Sequence, residues 1–198
     1  YLYDTLQSTY SLLENLLNWA MAEGGRFVYH PINFKLKEVT KIIYDVLNPL
    51  AVNKDIELIV NVADDLSVFA DMNMLTSIIQ NLVSNALKFT PIDGSGCVSI
   101  SARQVDQNIE IKIHDTGLGM TQSQIDQVFE PKIKVSLKGT TGEKGTGLGL
   151  VLCKRFVDLN HGKISVSSNK GEGTTFKVLL PMAKEPHLTL SSSQVEQT

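Results

Sequence analysis

The stretch from Ile78 to Thr90 constrains this chain most. Ile78, Ile79, Leu82, Val83, Ala86 and Leu87 recur with a period near 3.6 and form one apolar stripe, which predicts a helix laid against a core. Its other side carries Asn81, Asn85 and Lys88 at i, i+4 and i+7, so two carboxamides and an ammonium line up along the axis. Amide oxygens are hard ligands of the kind Mg²⁺ takes, and lysine is a point charge suited to phosphate. A surface helix that happens to carry asparagines would read the same, so the remaining motifs decide.

Around that helix the chain alternates helices with hairpins. Residues 2–22 predict a first helix with a heptad seam (Leu6, Tyr10, Leu13, Leu17, Ala20) and a second apolar row (Leu12, Leu16, Trp19). Two apolar sides call for more than one neighbour, as in a helical bundle. Glu23–Gly24–Gly25 ends it. Phe27–Val28 reads as a short extended piece broken at His30–Pro31. A helix follows over about 36–51, with Leu36, Val39, Ile43, Val46 and Leu50 as its core face. Strand alternation then appears at Ile56–Val62, Val68–Ala70, Val98–Ala102 and Ile109–Ile113, with Asp71 as an N-cap for the central helix. Thr121 and Gln124 form a capping box. Gly145–Leu150 opens a helix running to about Asn160, and Lys163–Ser168 pairs with Thr174–Leu180. This order predicts an α+β two-layer sandwich: a mixed, mostly antiparallel sheet with helices on one face, preceded by one coiled-coil-like helix. Expected domains are 1–24 (the second half of a helical hairpin), 25–183 (sandwich) and 184–198 (polar tail or linker).

Composition excludes some partners. With 198 residues and a net charge of −3, nothing points to nucleic acid or a membrane surface. No apolar run reaches membrane-span length, so direct insertion by this fragment is not expected. Cys97 and Cys153 sit far apart in apolar contexts, which reads as two buried thiols in a reducing, cytoplasmic setting. Beginning at Tyr1, the chain is read as a piece of a larger protein.

Two further motifs carry chemistry. Asp115, at the end of a strand and followed by Gly117 and Gly119, can accept from an amine in a pocket walled by bare backbone; the exocyclic amine of adenine is such a donor. An Asp-x-Gly turn alone would look alike. Gly145, Gly147 and Gly149 run into a helix N-terminus, which makes a phosphate cradle from free N–H groups and the helix dipole. The spacing lacks the strand that a dinucleotide site requires, which argues against NAD. Lys132, Lys134, Lys138 and Lys144 precede the cradle, and suit a lid over polyphosphate or a solvated loop. Together the three pieces describe an ATP site.

In this order the motifs resemble the catalytic ATP-binding domain of sensor histidine kinases, within the gyrase/Hsp90/histidine kinase/MutL superfamily. Asn81–Thr90 is similar to the N box, Asp115–Gly119 to the G1 box, Phe129–Pro131 to the F box and Gly145–Leu150 to the G2 box. The resemblance implies ATP and Mg²⁺ as cofactors. Asn85, with Asn81, would hold the metal, and Lys88 would meet phosphate. Asp115, Gly117 and Gly119 would face adenine, Thr174 would lie near it, and Lys144, Gly145, Thr146, Gly147, Leu148 and Gly149 would close on the phosphates. It also implies that residues 2–22 are half of a dimerisation and phosphotransfer bundle. The partners would be the parent's phosphoacceptor histidine domain and a response regulator receiver, in a homodimeric, membrane-anchored sensor. The four histidines (His30, His114, His161, His187) lack the family's His-Glu context, so the phosphoacceptor is expected elsewhere. Asn81 stands where hydrolysing relatives carry a glutamate base, which implies negligible ATPase activity. A nucleotide-binding or scaffold module without kinase activity is the alternative.

Overall fold

The computed structural model describes residues 28–130, 139–142 and 147–184. In chain order the elements are β1 (Ile32–Lys35), α1 (Leu36–Asn53), β2 (Ile56–Asn61), β3 (Ser67–Ala70), α2 (Met72–Phe89), β4 (Gly96–Val105), β5 (Asn108–Asp115), α3 (Gln122–Asp126), α4 (Gly149–Leu159), β6 (Lys163–Asn169) and β7 (Gly173–Pro181). Five strands form one sheet in the order β2-β4-β5-β7-β6, with β2 parallel to β4 and the other neighbours antiparallel. On one face lie α1, α2 and α4, with α2 in the middle. The expected mixed two-layer sandwich is therefore present. The leading helix expected over residues 2–22 lies outside the described residues, as do Lys132, Lys134, Lys138, Lys144, Gly145 and Thr146.

The core is the seam between layers. Ile78, Ile79, Leu82 and Leu87 of α2 are fully buried against Ile100, Ile109, Ile111 and Ile113 of β4 and β5, each contributing about 1.5–3 kcal/mol of burial. In β5 the inward residues are Ile109, Ile111, Ile113 and then Asp115. The alternation that buries three isoleucines thus turns a carboxylate into the helix layer at the strand end.

Two expectations change. Of the extended piece read at Phe27–Val28, Phe27 lies outside the described residues and Val28 joins no strand, and the strand at this edge is β1, at Ile32–Lys35. It pairs antiparallel with β3, far along the chain, and four residues beside His30–Pro31 are too few to display an alternation. In α1 the buried face is Leu36, Val39, Thr40, Ile43, Leu47 and Ala51, while Val46 and Leu50 are 56% and 42% exposed. Spacings of 36-39-43-46-50 and 36-40-43-47-51 both satisfy a helical period, and packing on β2 and α2 selects the second.

Helix α4 runs antiparallel to α2. Its Gly149 sits at Asn81, the Cys153 thiol donates to Ile78 O at 3.7 Å, and Asn160 reaches the start of α2. There the Asp71 N–H donates to Asn160 Oδ1 at 2.7 Å, and Asn160 Nδ2 donates back to Phe156 O at 2.8 Å. Asp71 Oδ1 caps Met74 N–H at 3.0 Å, as the sequence predicts, and Oδ2 accepts from His30 N–H at 3.0 Å. Burial pushes the Cys153 thiol up to about 12, whereas Cys97 is only half-buried. Beside the β1–β3 pair, Lys184 bonds Asn33 through both its backbone groups.

Candidate functional site

The antiparallel packing brings the N-terminus of α4 over the polar row of α2. Asn81, Asn85 and Lys88 are half-buried on that row. Asn81 Nδ2 donates back to Ser77 O at 2.9 Å. Its Oδ1 faces Gly149, where an added Cβ would lie 2.8 Å away. Among the described residues no side chain caps α4, and the positive end of its dipole favours an anion there. Lys88 rests with its ammonium 5.0 Å from the centre of the Phe89 ring.

Asp115 closes the site from the sheet. It is 5% exposed. Its Oδ1 accepts from Gly117 N–H at 2.9 Å and Thr174 N–H at 3.2 Å, which leaves Oδ2 for another donor. Burial raises its carboxyl above the usual range, and the two amides and the neighbouring His114 oppose that rise. Gly117 passes so close to α2 that a Cβ would stand 2.6 Å from Phe89 O, so only glycine lets the chain through. Gly119 takes a φ of +63° beside the β6–β7 turn. Thr174, 7% exposed, also bonds Ser168 through its hydroxyl at 3.0 Å.

The structure therefore gathers Asn81, Asn85, Lys88 and Gly149 in one place and Asp115, Gly117, Gly119 and Thr174 in an adjoining one, with Gly147 and Leu148 leading into α4. Phe129 packs edge-on to Phe176 at 6.3 Å. Sequence reasoning missed three residues. Ser168 Oγ accepts from Met120 N–H at 2.8 Å and donates to Gly173 O at 2.8 Å, which ties the turn after β5 to the closing hairpin. Lys54 and Thr140 meet at the C-terminus of α2. Only Ser168 carried a signal, as the residue opposite Thr174 in the hairpin.

On this two-layer sandwich, a helix bearing carboxamides, the N-terminus of a second helix above it and a buried carboxylate at a strand end form a candidate nucleotide-binding site. The sequence matches the family described as histidine kinase-, DNA gyrase B-, and HSP90-like ATPase over residues 70–184, and the chain belongs to that family. Among its relatives is the autoinducer 2 sensor kinase/phosphatase LuxQ of Vibrio parahaemolyticus, 34% identical over 194 residues, covering 93% of this chain and 22% of LuxQ. The sensor histidine kinase RcsC of Escherichia coli K12 is 31% identical over 173 residues, covering 86% of this chain and 18% of RcsC. This chain thus spans about a fifth of the length of these curated relatives. Full-length ShkA in complex with AMPPNP superposes with a TM-score of 0.76 at 25% identity, covering 92% of this chain and 37% of ShkA. The nucleotide-free catalytic domain of ThkA shares the fold, with a TM-score of 0.68 at 23% identity over 78% of this chain and 97% of that domain. Among the described residues no helix is long and apolar enough to cross a membrane.

Proposed function

We propose that this chain is the ATP-binding catalytic part of a sensor histidine kinase, passing the γ-phosphoryl group to a histidine on a helical bundle domain. One observation carries the reading: the Asp115 carboxylate is pinned through Oδ1 by two backbone amides at the end of β5 and keeps Oδ2 for an amine. Adenine supplies such an amine. Asp115 selects it, Thr174 and Gly117 fix the carboxylate, and the first turn of α4 receives the phosphates. The donor set fits magnesium, since Asn81 Oδ1 is aimed at the N-terminus of α4 and Asn85 lies one turn further along α2. When bound, the ion neutralises charge on the phosphates, held by Asn85 with Asn81. Lys88 meets the phosphates.

Asn81, a carboxamide, takes no proton from water at neutral pH. Positioning rather than hydrolysis is therefore the work of the site. Residues 1–24 serve as half of a dimerisation hairpin, and 184–198 as a linker. The partners are the phosphoacceptor domain and a response regulator, in a homodimeric membrane-anchored parent that keeps this part in the cytoplasm. Support for the regulator comes from the histidine kinase ThkA, whose crystal structure was solved in complex with the response regulator protein TrrA.

Incubating the chain with γ-labelled ATP, Mg²⁺ and an added histidine-bearing bundle domain from the same parent tests the reading. Label on the bundle and negligible free phosphate from the chain alone are expected. Brisk hydrolysis without the bundle, surviving Asn81→Ala, overturns it.

A further inference from the structure

The last four carbonyls of α2 are all bonded, three of them by groups outside the helix. Thr90 donates to Ala86 O through its N–H at 3.0 Å and its hydroxyl at 2.7 Å. Lys54 Nζ donates to Leu87 O at 2.7 Å. Thr140 bonds Lys88 O through its N–H at 3.0 Å and its Oγ1 at 3.1 Å. Leu118 N–H donates to Phe89 O at 3.0 Å. Ala86 O keeps the helix's own i+4 bond, from the C-cap, whereas Leu87, Lys88 and Phe89 O are carbonyls that a helix end leaves without intrahelical partners. Two of the holders also grip each other, with Lys54 Nζ 3.2 Å from Thr140 Oγ1. Lys54 is 7% exposed, and the negative end of the α2 dipole stabilises a cation buried there. The Thr140 hydroxyl has one proton, shared between Lys88 O and Thr90 O at 3.1 and 3.0 Å, and accepts from Lys54.

We infer that Thr140, braced by Lys54, is a positioning residue for Lys88, an assignment that rests on the nucleotide-site reading above. Both Thr140 bonds converge on the carbonyl of the residue whose ammonium is to meet phosphate. They fix the peptide plane after Lys88, and so the direction in which its four-carbon stem leaves the helix. A long side chain rooted in a fixed backbone has fewer conformers to lose when it binds. Thr140 itself touches no part of the nucleotide in this scheme.

The test uses calorimetry on the full chain with Mg–ADP and, separately, adenosine. Thr140→Val keeps the shape and removes the hydroxyl, and Thr140→Ser restores it. Thr140→Val should weaken Mg–ADP about three- to tenfold, the worth of one net hydrogen bond. It should leave adenosine unchanged, and Thr140→Ser should match wild type. In a Lys88→Ala background, Thr140→Val should add nothing. Equal weakening of ADP and adenosine, an undiminished effect without Lys88, or wild-type ADP affinity in Thr140→Val would each overturn the inference. Thr140→Ala carries the same comparison if valine prevents folding. Failure of the wild-type chain to bind Mg–ADP would instead sink the nucleotide reading and this inference with it.

Discussion

Replacing Asp115 by asparagine probes the adenine pocket while preserving its shape. Oδ1 remains to accept from Gly117 and Thr174 at 2.9 and 3.2 Å. Oδ2 becomes an NH₂ donor that faces the donor amine of adenine. A hydrogen bond to a charged partner is worth about 1.5–3 kcal/mol, so ADP affinity should fall roughly ten- to hundredfold. Folding stability should not fall with it. Burial raises the folded-state pKa of Asp115 above its ordinary 3.8, so between those two values the native state binds more protons than the unfolded chain. Stability contributed by this group is therefore lost as pH rises through that window. Above the window the buried charge is a standing cost, which the neutral amide removes. The nucleotide-free variant should melt at or above wild type at neutral pH and lose this part of the acid-side slope. Calorimetry with Mg–ADP and thermal melts from acid to neutral pH read both effects. Wild-type ADP affinity would refute the adenine assignment, and a markedly lower melting point at neutral pH would refute the burial argument.

Chelating divalent cations should weaken ADP binding to the wild-type chain. Asn85→Ala should bind ADP weakly and no longer respond to the chelator, as titrations with and without Mg²⁺ will report. Gly117→Ala and Gly149→Ala separate fold from site. The first drives a Cβ to 2.6 Å from the Phe89 backbone carbonyl and should cost about 1–3 kcal/mol in denaturant unfolding. The second meets only the end of the Asn81 side chain at 2.8 Å, so it should spare stability and reduce the Mg²⁺ dependence of ADP affinity. Asp71→Ala removes the α2 cap and the His30 bond together and should lower unfolding free energy by about 1–2 kcal/mol.

Much of the sandwich was legible because its elements advertise themselves locally. The isoleucines of β5 alternate without a break, α2 keeps one stripe through Leu87, and Asp71 and the Thr121–Gln124 box mark helix starts. What escaped depends on distant partners. β1 is a strand only because β3 returns beside it, and the choice between Val46 and Leu47 as a core residue belongs to β2 and α2, not to α1. At the site, Asn81, Asn85, Lys88 and Asp115 could be read from side-chain type and spacing. The grip of Lys54 and Thr140 on α2 links positions 33 and 86 residues apart, and no local pattern encodes it.

His30 is tied to one oxygen of Asp71 while the other oxygen holds the first turn of α2. The backbone at His30 is thus joined to the very carboxylate that starts the helix bearing Asn85, roughly 20 Å downstream along a stiff rod. Because Asn160 grips the same residue through its backbone N–H, this one corner joins the segment at His30, the start of α2 and the end of α4.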